Sequence, residues 1–123
     1  MRALVKSTFV FFAVSVFVSL SALSACAADS KNDKLAQCLT QKSAKMYGTF
    51  WCSHCKDQKD MFGESFKYVT YVECAIPGTR KETEACKQMK IEHTPTWIFK
   101  DGTRREGALP LTELGQIAGC SVK

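Results

Sequence analysis

The sequence predicts an α/β domain with a central mixed β-sheet of about four strands flanked by helices. Three observations carry this expectation. Strand-like and helix-like stretches alternate between residues 44 and 119. Asp101-Gly102 lies between two strand-like runs and is a strong hairpin signal. Cys52-Ser53-His54-Cys55 falls where a short apolar strand gives way to a helical pattern.

The chain has 123 residues, room for one domain plus a targeting segment. Its 46% hydrophobic and 24% charged residues are an ordinary globular balance. The formal charge of +5 is too weak and too evenly spread to suggest nucleic-acid binding. Seven cysteines are many for this length. Such a count points to metal binding in the cytosol and to disulfides outside it. Repeats, low-complexity runs and a second-domain linker are all absent from the sequence.

Residues 1–27 read as an export signal, and residues 28–123 as the folded domain. Arg2 and Lys6 form the charged start. The apolar run 9–23 is shorter than the roughly 20 residues that span a bilayer. Leu23-Ser24-Ala25-Cys26 resembles a bacterial lipobox, which would make 1–25 the leader and Cys26 a lipidated N-terminus. Ala25-Cys26-Ala27 also fits ordinary small-x-small cleavage, and an uncleaved anchor is a third reading. The lipobox reading is preferred. It places the domain in the periplasm, or another extracytoplasmic space, anchored to a bacterial membrane by lipid. With Cys26 set aside, six cysteines remain, enough for three pairs.

Residues 30–43 read as a first helix, capped by Asn32 or Asp33, with Leu35, Cys38 and Leu39 on one face. Residues 44–50 form the first core strand. The helix that starts at Cys52 carries Met61, Phe62 and Phe66 on its apolar side, with Gly63 a kink or frayed end. Residues 68–74 alternate and are β-rich, so they read as a strand. Thr79-x-x-Glu82 is a capping-box pattern for a helix carrying Ala85, Cys86 and Met89. Residues 96–100 and 103–106 pair across the hairpin. Residues 109–119 form the last helix, burying Leu111, Leu114, Ile117 and Ala118.

The placement of Cys52 at a helix N-terminus favours one chemistry. The thiolate is the nucleophile in disulfide exchange. Free backbone N–H groups and the helix dipole stabilise an anion there. Cys55, one turn later, is close enough to close a small disulfide or resolve a mixed one. A structural disulfide or one arm of a zinc site is the alternative. Zinc usually needs four ligands, and only His54 and His93 supply imidazoles. His93 reads as a surface loop residue. Trp51 reads as an aromatic shielding the cysteines, with plain packing the alternative. Glu73, at a strand end, reads as exposed decoration. Acceptance of a proton from Cys55 is its sharper reading.

Trp51-Cys52-x-x-Cys55-Lys56, Thr94-Pro95-Thr96, and Asp101-Gly102 followed by Glu106-Gly107-Ala108-Leu109 resemble the thioredoxin superfamily over nearly all of residues 28–123. Met46-Tyr47-Gly48, Asp57-Gln58-Lys59, Met61-Phe62-Gly63, Tyr71-Val72-Glu73-Cys74, Ala85-Cys86-Lys87 and Pro95-Thr96-Trp97 look like one subfamily. It is the thioredoxin-like domain associated with bacterial vitamin K epoxide reductase-type membrane proteins.

The resemblance implies a thioredoxin-like fold and thiol–disulfide exchange with protein thiols and disulfides. Cys52 would attack and Cys55 resolve, with no cofactor. Thr94-Pro95 would pack against the pair through a cis bond, and Thr94 would meet the substrate backbone. His54, beside Ser53 between the cysteines, would favour the thiolate and make the disulfide more oxidising, with a solvated loop histidine the alternative. The family's buried acid is missing, because its neighbourhood holds Met46 and Tyr47. Cys74 and Cys86 match a second cysteine pair and are expected to form a structural disulfide, with a second redox relay the alternative. Cys38 and Cys120 would then pair by parity and burial. Substrate oxidation, re-oxidation by a quinone-linked membrane partner and a monomeric state are the implied biology. A reductase fed by a membrane electron donor and a non-enzymatic metal-binding or disulfide-stapled module are the alternatives.

Overall fold

The computed structural model describes residues 32–121. The export-signal and Cys26 readings lie outside the described residues. Helix α1 (Asp33–Gln41) leads into strand β1 (Lys45–Gly48). Helix α2 (Ser53–Phe62) follows and runs on as a 3-10 helix (Gly63–Tyr68) into β2 (Thr70–Glu73). After α3 (Glu84–Gln88) come β3 (Thr96–Ile98), β4 (Arg104–Glu106) and α4 (Leu111–Ala118).

The four strands make one sheet in the order β2-β1-β3-β4. β1 pairs parallel with β2 and antiparallel with β3, and β3 pairs antiparallel with β4. The sheet is mixed and flanked by helices, a thioredoxin-like α/β arrangement.

Side-chain alternation sorts the core into two layers. Met46 stands opposite Tyr71 on one side and Trp97 on the other. These three face a cluster built with Leu35 and Leu39 of α1, Phe62 of α2 and Leu114 of α4. Tyr47, opposite Val72, faces the other way and packs with Cys74, Cys86 and Ile98 under α3.

Two disulfides staple this arrangement. Cys38 of α1 is bonded to Cys120 just past α4, across 82 residues of sequence. Cys74 is bonded to Cys86 of α3, across 12.

Several elements differ from the sequence expectation. β1 stops at Gly48 instead of running to residue 50, because Thr49 accepts a turn hydrogen bond from Cys52 N–H at 3.2 Å. Phe50 is consequently 62% exposed. Asn32 holds the N-cap position of α1, but its side chain makes no capping hydrogen bond there. The Asn32 amide donates to the Met61 carbonyl, and Asp33 accepts from the Ser65 hydroxyl, so both tie α1 to the α2 segment. Residues 63–68 are a 3-10 helix, which shortens the expected strand 68–74 at its start. Thr79 organises a turn with Ile76 and Lys81, and α3 is capped at Thr83. In α4 it is Leu114 and Gly115 that are buried, while Leu111, Ile117 and Ala118 are half-buried.

Candidate active site

β1, α2 and the loop before β3 converge on Cys52. A turn at residues 49–51 carries the chain from the end of β1 to the start of α2. Cys52 is the N-cap of α2: its backbone is extended, and its sulfur accepts from Cys55 N–H at 3.1 Å. The sulfur thus fills the place a Ser or Asp oxygen takes in an ordinary cap. It also lies 3.3 Å from the Thr94 carbonyl, to which the thiol donates. The Thr94–Pro95 peptide bond is cis.

Cys52 and Cys55 are both free thiols, Cys52 half-buried and Cys55 buried. Their environments drive them apart. Burial pushes the Cys52 thiol up, but hydrogen bonding with the side chains of Cys55 and Thr94 and with the backbone N–H groups of Cys55 and His54 outweighs it. The net position is below the ordinary cysteine value. Burial, followed by the hydrogen bond with Cys52, pushes Cys55 up to about 11. One sulfur therefore ionises more readily than an ordinary cysteine and its neighbour less readily. That division suits an exposed attacking group and a protected resolving one.

Gly48 faces this pair. A Cβ at Gly48 would stand 2.9 Å from Cys55 Sγ and 3.1 Å from Tyr71 Oη. The absent side chain leaves room for the thiol and the phenol beside the end of β1. The Tyr71 hydroxyl donates to Glu73 Oε2 at 2.8 Å, and Glu73 Oε1 accepts from Ala75 N–H at 2.9 Å.

The remaining expected site residues are distributed as follows. Trp51 is 42% exposed, edge-on to Phe50, with the Arg80 guanidinium 5.7 Å from its ring. Ser53 opens α2 and is exposed. The His54 side chain is 71% exposed, with Nδ1 3.7 Å from the Asp57 carboxylate. His93 is exposed, and its carbonyl accepts from the Thr96 hydroxyl. A cavity of about 240 Å³ lies beside Trp51 and Thr94, lined also by Thr49, Arg80 and Glu92 among others; neither Cys52 nor Cys55 lines it. Cys74 and Cys86 are buried and bonded to each other, and Cys74 lines this cavity. Among the described residues no cluster of three or more His, Cys, Asp or Glu side chains is placed to hold a metal ion.

Two features were not anticipated from the sequence. Tyr71 Oη lies beside the same Gly48 Cβ position as Cys55 Sγ. Gln58, fully buried, takes hydrogen bonds from Trp97 Nε1 and Leu109 N–H and donates to the Leu109 carbonyl. It fixes α2 against β3 and the entry to α4. Period-two alternation, which puts Tyr71 on the Glu73 face of β2, was the available signal for the first. No pattern signals a buried glutamine.

No family model matches the chain. Over 92 residues, 72% of this chain, it is 47% identical to the thiol-disulfide oxidoreductase LTO1 of Arabidopsis thaliana. It spans only 24% of that relative's length. Among solved structures it is similar to thioredoxin O2 of Arabidopsis thaliana in the oxidised state. The identity there is 14% and the TM-score 0.40, over 76% of this chain and 90% of that one. Sheet order, strand directions and a Cys-x-x-Cys opening the helix after β1 give this chain the thioredoxin-like fold, and most of its length is similar to a segment of a thiol-disulfide oxidoreductase.

Proposed function

We propose that the chain exchanges disulfides with protein thiols through Cys52 and Cys55. The observation that carries this reading is the Cys52 sulfur capping α2, half-buried, in front of the buried Cys55.

The bonds exchanged are all between sulfurs, and the resolving step also needs a base for the Cys55 proton. In the reducing direction the Cys52 thiolate attacks one sulfur of a substrate disulfide. A Cys52–substrate bond forms and the other substrate sulfur leaves as a thiolate. Cys55 then loses its proton and attacks Cys52 Sγ. The 52–55 disulfide closes and the second substrate thiolate departs. Substrate oxidation runs the same steps backwards. The Thr94 carbonyl, beside Cys52, is positioned to meet the substrate backbone.

The finer reading is oxidation of substrates outside the cytoplasm by a monomer anchored through a lipid on Cys26. A quinone-linked membrane protein of vitamin K epoxide reductase type would re-oxidise it. The subfamily-like motifs, the lipobox residues and His54 between the cysteines support this.

The test is catalysed refolding of a reduced, disulfide-containing protein, with Cys52→Ser as control. Catalysis by the native chain and none by the variant is the expected result. Absence of catalysis in both refolding and insulin reduction would refute exchange. A potential near the strong-oxidant end, about −120 mV, supports oxidation. One near about −270 mV would make the chain a reductase. Mass spectrometry of the mature N-terminus tests the lipid on Cys26. An unmodified Ala28 there would remove it.

A further inference from the structure

We propose that Tyr71 and Glu73 form the proton outlet of Cys55: the thiol hands its proton to the Tyr71 hydroxyl as that hydroxyl passes its own to Glu73. The proposal rests on the disulfide-exchange reading and supplies what that reading lacks. β1 offers no carboxylate near the resolving cysteine, since Met46 packs in the core and Tyr47 faces α3.

The geometry is specific. Cys55 Sγ and Tyr71 Oη lie within 3.1 Å of one point, the place a Gly48 Cβ would occupy. A phenol has one proton and two lone pairs. Tyr71 gives its proton to Glu73 Oε2 at 2.8 Å, which leaves its lone pairs to accept the Cys55 proton once the two side chains, not hydrogen-bonded to each other at rest, close together. Glu73 is fixed by its second oxygen, which accepts from Ala75 N–H. It is half-exposed, so a proton arriving there can pass to water.

The groups around the relay are few. α2 contributes Cys52 and Lys59, whose ammonium sits 4.0 Å over the Tyr71 ring. The 3-10 helix contributes the Phe66 ring, 5.9 Å from that of Tyr71. β1 contributes Gly48, which has no titratable group. Tyr71 does not itself ionise in this role. Burial, then the Glu73 hydrogen bond and charge, and then Cys55 and Cys52, push its hydroxyl well above the ordinary range.

The step balances. The Cys55 S–H bond breaks as the Cys55–Cys52 S–S bond forms. The proton moves to Tyr71, and the Tyr71 proton moves to Glu73. The bond between Cys52 and the substrate sulfur breaks, and its electron pair leaves on the substrate thiolate. Glu73 then returns its proton to water. Tyr71 is the catalytic residue here, and Glu73 acts through it.

The experiment uses glutathione disulfide as probe. Reduced protein is mixed with it and quenched with acid, and the species are weighed by mass spectrometry. Formation of the Cys52–glutathione adduct reads attack, and its loss reads resolution. Tyr71→Phe and Glu73→Gln should leave attack unchanged and slow resolution by about tenfold or more near neutral pH. The deficit should shrink as pH rises and Cys55 ionises unaided. The double variant should resolve no more slowly than the slower single one, because the two groups act in series. Thermal melts establish that each variant is folded, and either alone suffices for the test. Wild-type resolution in a folded variant, a deficit that does not change with pH, or deficits that multiply would overturn the relay. If the native chain forms neither the adduct nor the 52–55 disulfide, the exchange reading itself fails, an outcome distinct from slowed resolution.

Discussion

Gly48→Ala should disturb both the stability of this domain and its redox pair. Gly48 is absent from the residues with positive φ, so its backbone would accept alanine. Space is the constraint. The new Cβ would meet Cys55 Sγ at 2.9 Å, Tyr71 Cε2 at 3.0 Å and Tyr71 Oη at 3.1 Å. Neither neighbour yields easily. Cys55 is tied to the first turn of α2 by the Cys52 cap, and Tyr71 is held by Glu73, Phe66 and Lys59. Overpacking of this kind costs about 1–3 kcal/mol. At this domain size each kcal/mol lowers Tm by about 4–8 °C. Thermal and urea unfolding of the reduced protein measure the loss, and closure of the 52–55 disulfide should slow with it. Gly102→Ala is the control. At φ +83° with no atom within 4 Å of its Cβ, it carries backbone strain but leaves the sulfurs untouched. A folded Gly48→Ala protein with native stability and native closure rate would show that Cys55 is not seated against β1.

Three further outcomes follow from the geometry. Removing Cys38–Cys120 should cost about 4.5 kcal/mol and removing Cys74–Cys86 about 3 kcal/mol in the chain-entropy model, since the loops differ in length; paired Cys→Ser variants in urea would measure both. Gln58→Leu should cost about 2–4 kcal/mol, because it strands the Trp97 indole N–H and both Leu109 backbone groups in the core. A urea midpoint equal to that of the native chain would contradict that role. The stability of the reduced protein relative to the oxidised one should pass through a maximum with pH. Cys52 ionises earlier folded than unfolded, so its contribution is present above the unfolded value and is lost as pH falls through the folded one. Cys55 acts oppositely. Its contribution is complete below the ordinary 9.0 and is lost as pH rises towards about 11. Urea midpoints of the two redox forms, subtracted at each pH, test both limbs.

The residues that punctuate the chain made much of this fold legible in its sequence. The Cys52 junction, the hairpin at Asp101-Gly102 and the apolar face of α1 give strong local signals, and the structure places a strand, turn or helix at each. Boundaries were less legible where a turn used residues that also suit a strand. Phe50 and Trp51 extend an apolar run, yet they stand exposed because the chain must turn to present Cys52. Thr79 and Glu82 have capping-box spacing, but the Thr79 hydroxyl bonds back to Ile76, and Glu82 bridges to Ala75. Gln58 has the chemistry of a surface residue, and only the fold supplies its three buried partners. Alternation puts Tyr71 and Glu73 on one face, but their placement beside Gly48 and Cys55 needed the register of β2 against β1, a long-range fact that local patterning does not contain.

The claim beneath all of this is that a helix beginning at Cys52 makes its sulfur acidic while its buried neighbour keeps its proton. Ultraviolet thiolate absorbance of the reduced protein, followed from acid to alkaline pH, tests it directly. Two separated steps are expected, the first below the ordinary cysteine value of 9.0 and the second at about 11. A single step at the ordinary value would contradict it.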